Sequence, residues 1–155
     1  MDPLTSHFWI GIGVAVLCGG IVGIERQMRG KPAGIRTNIL ICLGTAIFVQ
    51  LGATIGGMNT DPTRVLGQVA TGIGFLGAGV IIARGGHVKG VTSAAVIWTL
   101  AGIGAMIGFG LFAPAIALAV VTVGILTGLE FLEAGVRRLR SGEHAHGDDS
   151  ISGEE

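Results

Sequence analysis

Charge is what this sequence lacks. Only 13% of its 155 residues are Asp, Glu, Lys or Arg, while half are apolar. A soluble domain of this length carries roughly 25% charged residues to cover its surface. With a mean hydropathy of +0.73, the composition excludes an ordinary soluble domain and points to a surface covered by lipid. Acidic residues are missing altogether between Asp61 and Glu130. A coupled cation carrier usually keeps an acid near the membrane midplane, and that stretch offers none. Cysteine is limited to Cys18 and Cys42, without metal or redox spacing. Both read as small core residues rather than as a disulfide.

Glycine is abundant instead, at 29 residues. One run, "GIGFLGAG" at 72–79, has the G-x-G-x-x-G spacing of a dinucleotide-binding turn. That fingerprint has meaning only after a buried strand, with an acid about 20 residues further on to hold a ribose. Here it lies inside an uncharged span with no acid downstream before Glu130. No cofactor is expected. The sequence also shows no nucleophile–base pair and no metal-ligand cluster, so neither an enzyme nor a metal site is expected, and nothing indicates nucleic-acid binding.

A helix needs about 20 mostly apolar residues to cross the hydrocarbon layer. Uncharged runs at Phe8–Ile24, Asn38–Gly57 and Val65–Ala83 can each span. The run from Gly90 to Leu129 would make about 60 Å of helix, twice what one crossing uses. It is therefore expected to break at "GFGLFAP", 108–114, where two glycines and Pro114 favour a turn. The predicted fold is all-α, a polytopic transmembrane bundle of about five helices. Nine of the ten basic residues alternate onto one side: Arg26, Arg29, Lys31, Arg36, Arg84, Lys89, Arg137, Arg138 and Arg140. Lys and Arg collect in cytoplasmic loops, so the N-terminus is expected outside and the C-terminus in the cytoplasm. The first helix reads as a retained anchor. Residues 1–135 form the expected membrane domain and 136–155 a disordered polar tail, whose His144, His146, Asp148 and Asp149 read as solvated.

In the third helix, Gly67, Thr71, Gly74 and Ala78 form one narrow stripe, opposite Val69, Ile73, Leu76 and Val80. Small faces let membrane helices approach closely, so the small stripe is expected to face protein and the large one lipid. Gly72, Gly77 and Gly79 lie off the stripe and cost about 1 kcal/mol each in helix propensity relative to Ala. Either they pack on several sides, or the helix is kinked or partly unwound. Glu25 adjoins the first span directly and calls for an Arg partner, Arg26 or Arg36; the alternative is a solvated basic loop over 29–37. Gln68, Thr71, Thr92 and Ser93 can bond between helices. Asp61 can cap the third helix, with Pro62 at its first position. Trp9 and Trp98 suit interface or packing roles.

Three blocks go further: "GIVGIERQMRGKPAGIRTNILICLG" (20–44), "DPTRVLGQVATGIGFLGAGVII" (61–82) and "VKGVTSAAVIWTLAGIGAMIGFG" (88–110). In order and spacing they resemble the signature blocks of the MgtC/SapB family of bacterial membrane proteins. The resemblance covers roughly residues 8 to 130. It implies family positions at Glu25, Arg26, Arg36, Thr37, Arg64, Gly72, Gly74, Gly77, Gly79, Thr92, Ser93 and Trp98, to which Gln68 is added as an intramembrane amide. It implies a multi-pass protein of the bacterial inner membrane, linked to magnesium homeostasis and to growth in low magnesium. The partners expected are the lipid bilayer and a further copy of the chain, and the resemblance adds membrane machinery such as transporters or the ATP synthase. Longer members add a cytoplasmic regulatory domain, where this sequence has roughly 20 polar residues, too few to bury a core. Two function classes follow: a non-enzymatic membrane factor, or a small oligomeric ion transporter or channel with a kinked third helix.

Overall fold

The computed structural model describes residues 5–55, 61, 63–84 and 86–143; for residue 84 and for 130–143 it describes the backbone alone. The elements in chain order are α1 (Ser6–Met28), α2 (Ile35–Ile55), α3 (Thr63–Gly79), β1 (Ile82–Arg84), β2 (His87–Lys89), α4 (Val91–Gly108) and α5 (Phe112–Glu143). The expected break near 108–114 is present: α4 ends at Gly108, and Pro114 falls in the first turn of α5, where its missing N–H costs no helical hydrogen bond. Gly110 closes α4, its amide donating to the Ile107 carbonyl (2.9 Å) while the Leu111 amide donates to Met106 (2.9 Å).

Among the described residues, four helices are long and apolar enough to cross a membrane: α1, α2, α4 and the Phe112–Leu129 part of α5. The 17 residues of α3 rise only about 25 Å. The residues fall into two compact units, 1–123 and 124–155. The first holds the core, and the second holds the remainder of α5. Helical backbone continues through 136–143, the start of the expected polar tail; the four tail residues singled out above lie outside the described residues, as does Pro62.

The core is built where α1 and α4 both pack on α2. Gly19 and Gly23 form a G-x-x-x-G pair on α1, and Gly104 and Gly108 form another on α4. A Cβ at Gly19 would stand 2.6 Å from Ile39 Cα, and one at Gly23 the same distance from Ile35 Cα. One at Gly108 would stand 2.8 Å from the Ala46 carbonyl, and one at Gly104 would collide with the Cys42 carbonyl. Backbone therefore touches backbone on both sides of α2, the close approach that small-residue pairs permit in lipid. Between these seams lie Cys18, Val22, Cys42, Val49, Ile97, Leu100 and Ile103, all buried. Both cysteines are free thiols, as expected.

The stripe expectation for α3 is overturned within the chain. Ile73 and Gly77 are its buried positions, and a Cβ at Gly77 would stand 3.7 Å from Ala94 of α4. Gly67, Thr71, Gly74 and Ala78 are exposed, with nothing within 4 Å of a Cβ at Gly67 or Gly74. The small-face rule names a face able to pack; in this chain α3 turns Ile73 and Gly77 inward, and the close packing uses the glycines of α1 and α4. Nor is α3 unwound, since it is an uninterrupted α-helix from Thr63 to Gly79. A second departure is the antiparallel hairpin between α3 and α4, pairing Ile82 with Lys89, Ala83 with Val88 and Arg84 with His87, where a plain loop was expected.

Gly19→Ala and Gly108→Ala should each destabilise the chain by about 1–3 kcal/mol through overpacking, whereas Gly74→Ala should be neutral or gain about 1 kcal/mol of helix propensity. Thermal unfolding in detergent checks the order; a Gly74→Ala variant as damaged as Gly19→Ala would contradict this packing.

Candidate functional site

The site grows out of the turn joining α1 to α2. Helix α1 ends with Gly30 in the left-handed region (φ 61°). The Gly30 amide donates to the Gln27 carbonyl (3.1 Å) and the Lys31 amide to the Arg26 carbonyl (3.0 Å), the paired bonds that finish many helices. Pro32 follows and blocks continuation. The chain re-enters a helix at once: Gln27 Oε1 accepts the Ile35 amide (3.3 Å), and Asn38 Nδ2 donates to the Ala33 carbonyl (2.9 Å). These bonds fix the start of α2 against the end of α1.

Arg26 lies one turn beyond Gly23 on the face that packs on α2, and it is 2% exposed. Its guanidinium crosses to α4, where Nη2 donates to the Ser93 hydroxyl. Ser93 is itself 3% exposed, in the first turn of α4, which carries no side-chain cap and no acid. Glu25 is 8% exposed; its Oε1 meets Arg29 Nε at 2.6 Å. The expected partners Arg26 and Arg36 are thus replaced by Arg29. Residues four apart share a helix face, so the i,i+4 carboxylate–arginine pair forms on α1 itself, while Arg26 turns toward α4. Asn38 is fully buried. Glu25 Oε2, Arg26 Nε and Asn38 Oδ1 are buried without a hydrogen-bond partner among the described residues. Such polar atoms are costly within a bundle in lipid and mark functional positions.

The remaining predicted residues are dispersed. Arg36 and Thr37 are exposed in the first turn of α2, Arg64 is exposed in the first turn of α3, and Thr92 is exposed beside buried Ser93. Trp98 is 61% exposed on α4, suited to lipid. Gln68 and Gly72 line a groove between α2 and α3; Gly74 and Gly79 face open space. Thr71 donates back to the Gly67 carbonyl of its own helix (2.9 Å) rather than across a seam. At the opposite end of α3, Asp61 Oδ1 accepts the Thr63 amide (2.9 Å), and hydrogen bonding to Thr63 holds its carboxyl below the ordinary range. Asn38, Gln27 and Arg29 were not singled out from the sequence. Asn38 had a signal, being an amide at the very start of an uncharged run.

Apolar helices joined by glycine seams, with an arginine and a carboxylate buried at one end, define a multi-pass helical membrane protein. The chain belongs to the MgtC family, whose family model matches residues 12–134. It is 40% identical to YhiD of Escherichia coli K12 over 130 residues, covering 79% of this chain and 60% of that protein. It is 46% identical to MgtC of Brucella abortus over 121 residues, covering 78% and 49%, and 43% identical to MgtC of Salmonella typhimurium over 118 residues, covering 76% and 50%. The chain thus matches between about half and three fifths of the length of these relatives. No solved structure matches it.

Ser93→Ala leaves a buried guanidinium without its hydroxyl and should cost about 1–3 kcal/mol. Arg26→Met removes the charge, so adding Ser93→Ala to it should cost far less than Ser93→Ala alone. A double-mutant cycle by thermal unfolding in detergent measures the coupling; strictly additive effects would separate the two residues.

Proposed function

We propose that the chain is a non-enzymatic factor of the bacterial inner membrane that supports magnesium homeostasis and growth in low magnesium. It acts through contacts of its membrane helices with other membrane machinery, a transporter or the ATP synthase, rather than by moving ions itself. The observation that carries this reading is the buried set at the α1–α2–α4 end, Glu25, Arg26, Asn38 and Ser93, inside the region matched by the family model. It is a fixed polar device near a helix end, and no acid occurs between Asp61 and Glu130 to serve a cation crossing the midplane. A second reading, a small oligomeric transporter or channel, is favoured by the unpartnered polar atoms of Glu25 and Asn38 and by the name of YhiD, which refers to magnesium transport.

Complementation tests the first reading. In a strain that needs a protein of this family in low magnesium, Glu25→Gln should insert normally and fail to restore growth, and Glu25→Asp should restore part of it. Growth with Glu25→Gln equal to the parent would remove the ionic role. Flux of magnesium or small anions through purified chain in liposomes, abolished by Arg26→Met, would establish the transporter reading instead.

The topology belongs to the same proposal: α3 is the fifth crossing, the N-terminus lies outside, and the basic α1–α2 turn and the C-terminus lie in the cytoplasm. Single cysteines at position 60 and after Arg140 should label without and only with permeabilisation, respectively. The reverse pattern would invert the bundle.

A further inference from the structure

A groove of about 640 Å³ runs between α2 and α3, from Thr37 to Phe48 on one wall and from Leu76 to Val65 on the other. Its walls are mostly apolar. Two glycines keep it open, since Gly44 on α2 and Gly72 on α3 both line it, and a Cβ at either would meet nothing within 4 Å. The groove is about 16 Å long at the helical rise, a length that a single hydrocarbon chain spans. In a membrane protein, an open apolar groove would forfeit its dispersion contacts if nothing filled it.

The groove ends at positive charge. Arg36, exposed and next to Thr37, stands in the first turn of α2, a turn with no acidic residue. The N-terminal amides of α2 stand at that same end beside the carbonyl end of α3, so the two helix dipoles oppose each other there and Arg36 supplies the positive charge. Lys31 is exposed in the preceding turn. The geometry points to a bound phospholipid: one acyl chain lies between α2 and α3, and its headgroup phosphate rests on Arg36 and the α2 N-terminus. The site is separate from Arg26 and Ser93 and does not depend on whether the chain regulates or transports.

The full chain is reconstituted in vesicles of phosphatidylethanolamine and phosphatidylglycerol, with a phosphatidylglycerol carrying a photoactivatable diazirine on one acyl chain. Crosslinked residues are mapped by mass spectrometry. Labelling should concentrate on the groove walls relative to the lipid-facing surface of α1 around Trp9. Gly44→Phe and Gly72→Phe, each filling the groove from one wall, should remove the groove labels and spare those near Trp9. Arg36→Gln should weaken groove labelling about fivefold, the value of about one kcal/mol per basic residue near an anionic surface, and Arg36→Lys should restore it. Groove labelling no denser than that near Trp9, or indifferent to Arg36→Gln, overturns the site. So does disulfide-linked dimerisation through a cysteine introduced at Gly72, which would seat a second copy there.

Discussion

Everything in this chain depends on how closely α1 and α4 can approach α2. Between helices in lipid no hydrophobic effect drives association, because the solvent is as apolar as the side chains. Cohesion must come from contact, and contact is closest where a side chain is absent. Gly19 and Gly23 put the α1 backbone against Ile35, Asn38 and Ile39 of α2, and Gly104 and Gly108 put α4 against Cys42, Ala46 and Val49. The polar site is a dependent of these seams. Arg26 continues the line of Gly19 and Gly23 by one further turn, so the same approach that brings the helices together delivers its guanidinium to Ser93.

The site divides its charges by reach. Glu25 and Arg29 settle as neighbours on one helix, an arrangement that needs no partner helix. Arg26, although adjacent to Glu25, is committed to α4 through a neutral hydroxyl. A neutral partner offsets less of the cost of burying a cation than a carboxylate does. The Arg26–Ser93 link therefore reports on the relative position of α1 and α4, while the Glu25–Arg29 pair reports on α1 alone.

Much of the fold was legible, because charge marks where lipid ends. The runs bounded by Arg26, Arg36 and Arg64 became helices, and the glycines and proline of 108–114 stopped α4 as their chemistry requires. The site was legible in part: Glu25, Arg26 and Ser93 were named, but not who meets whom. Periodicity gives the face of a helix and not its neighbour, which is why the small stripe of α3 was assigned inward while the glycine pairs of α1 and α4 held the bundle. The partner of Glu25 lies one turn away under the i,i+4 rule, a spacing that competes with the basic loop over 29–37 for the same carboxylate. Asn38 had a signal but its partner did not: the Ala33 carbonyl is presented by a residue at φ 60°, which no spacing announces. The hairpin had its signal in the sequence, where the pair Gly85-Gly86 stands between short β-prone runs.

That hairpin does more than connect. A Cβ at Gly90 would collide with the Val80 carbonyl, so the end of α3 and the start of α4 touch through backbone, and the two strands between them are hydrogen-bonded to each other. The connection is a strut of fixed length rather than a tether. Helices adapt to a thicker or thinner bilayer by tilting; joined in this way, α3 and α4 share one fixed spacing at that end, whichever way α4 tilts.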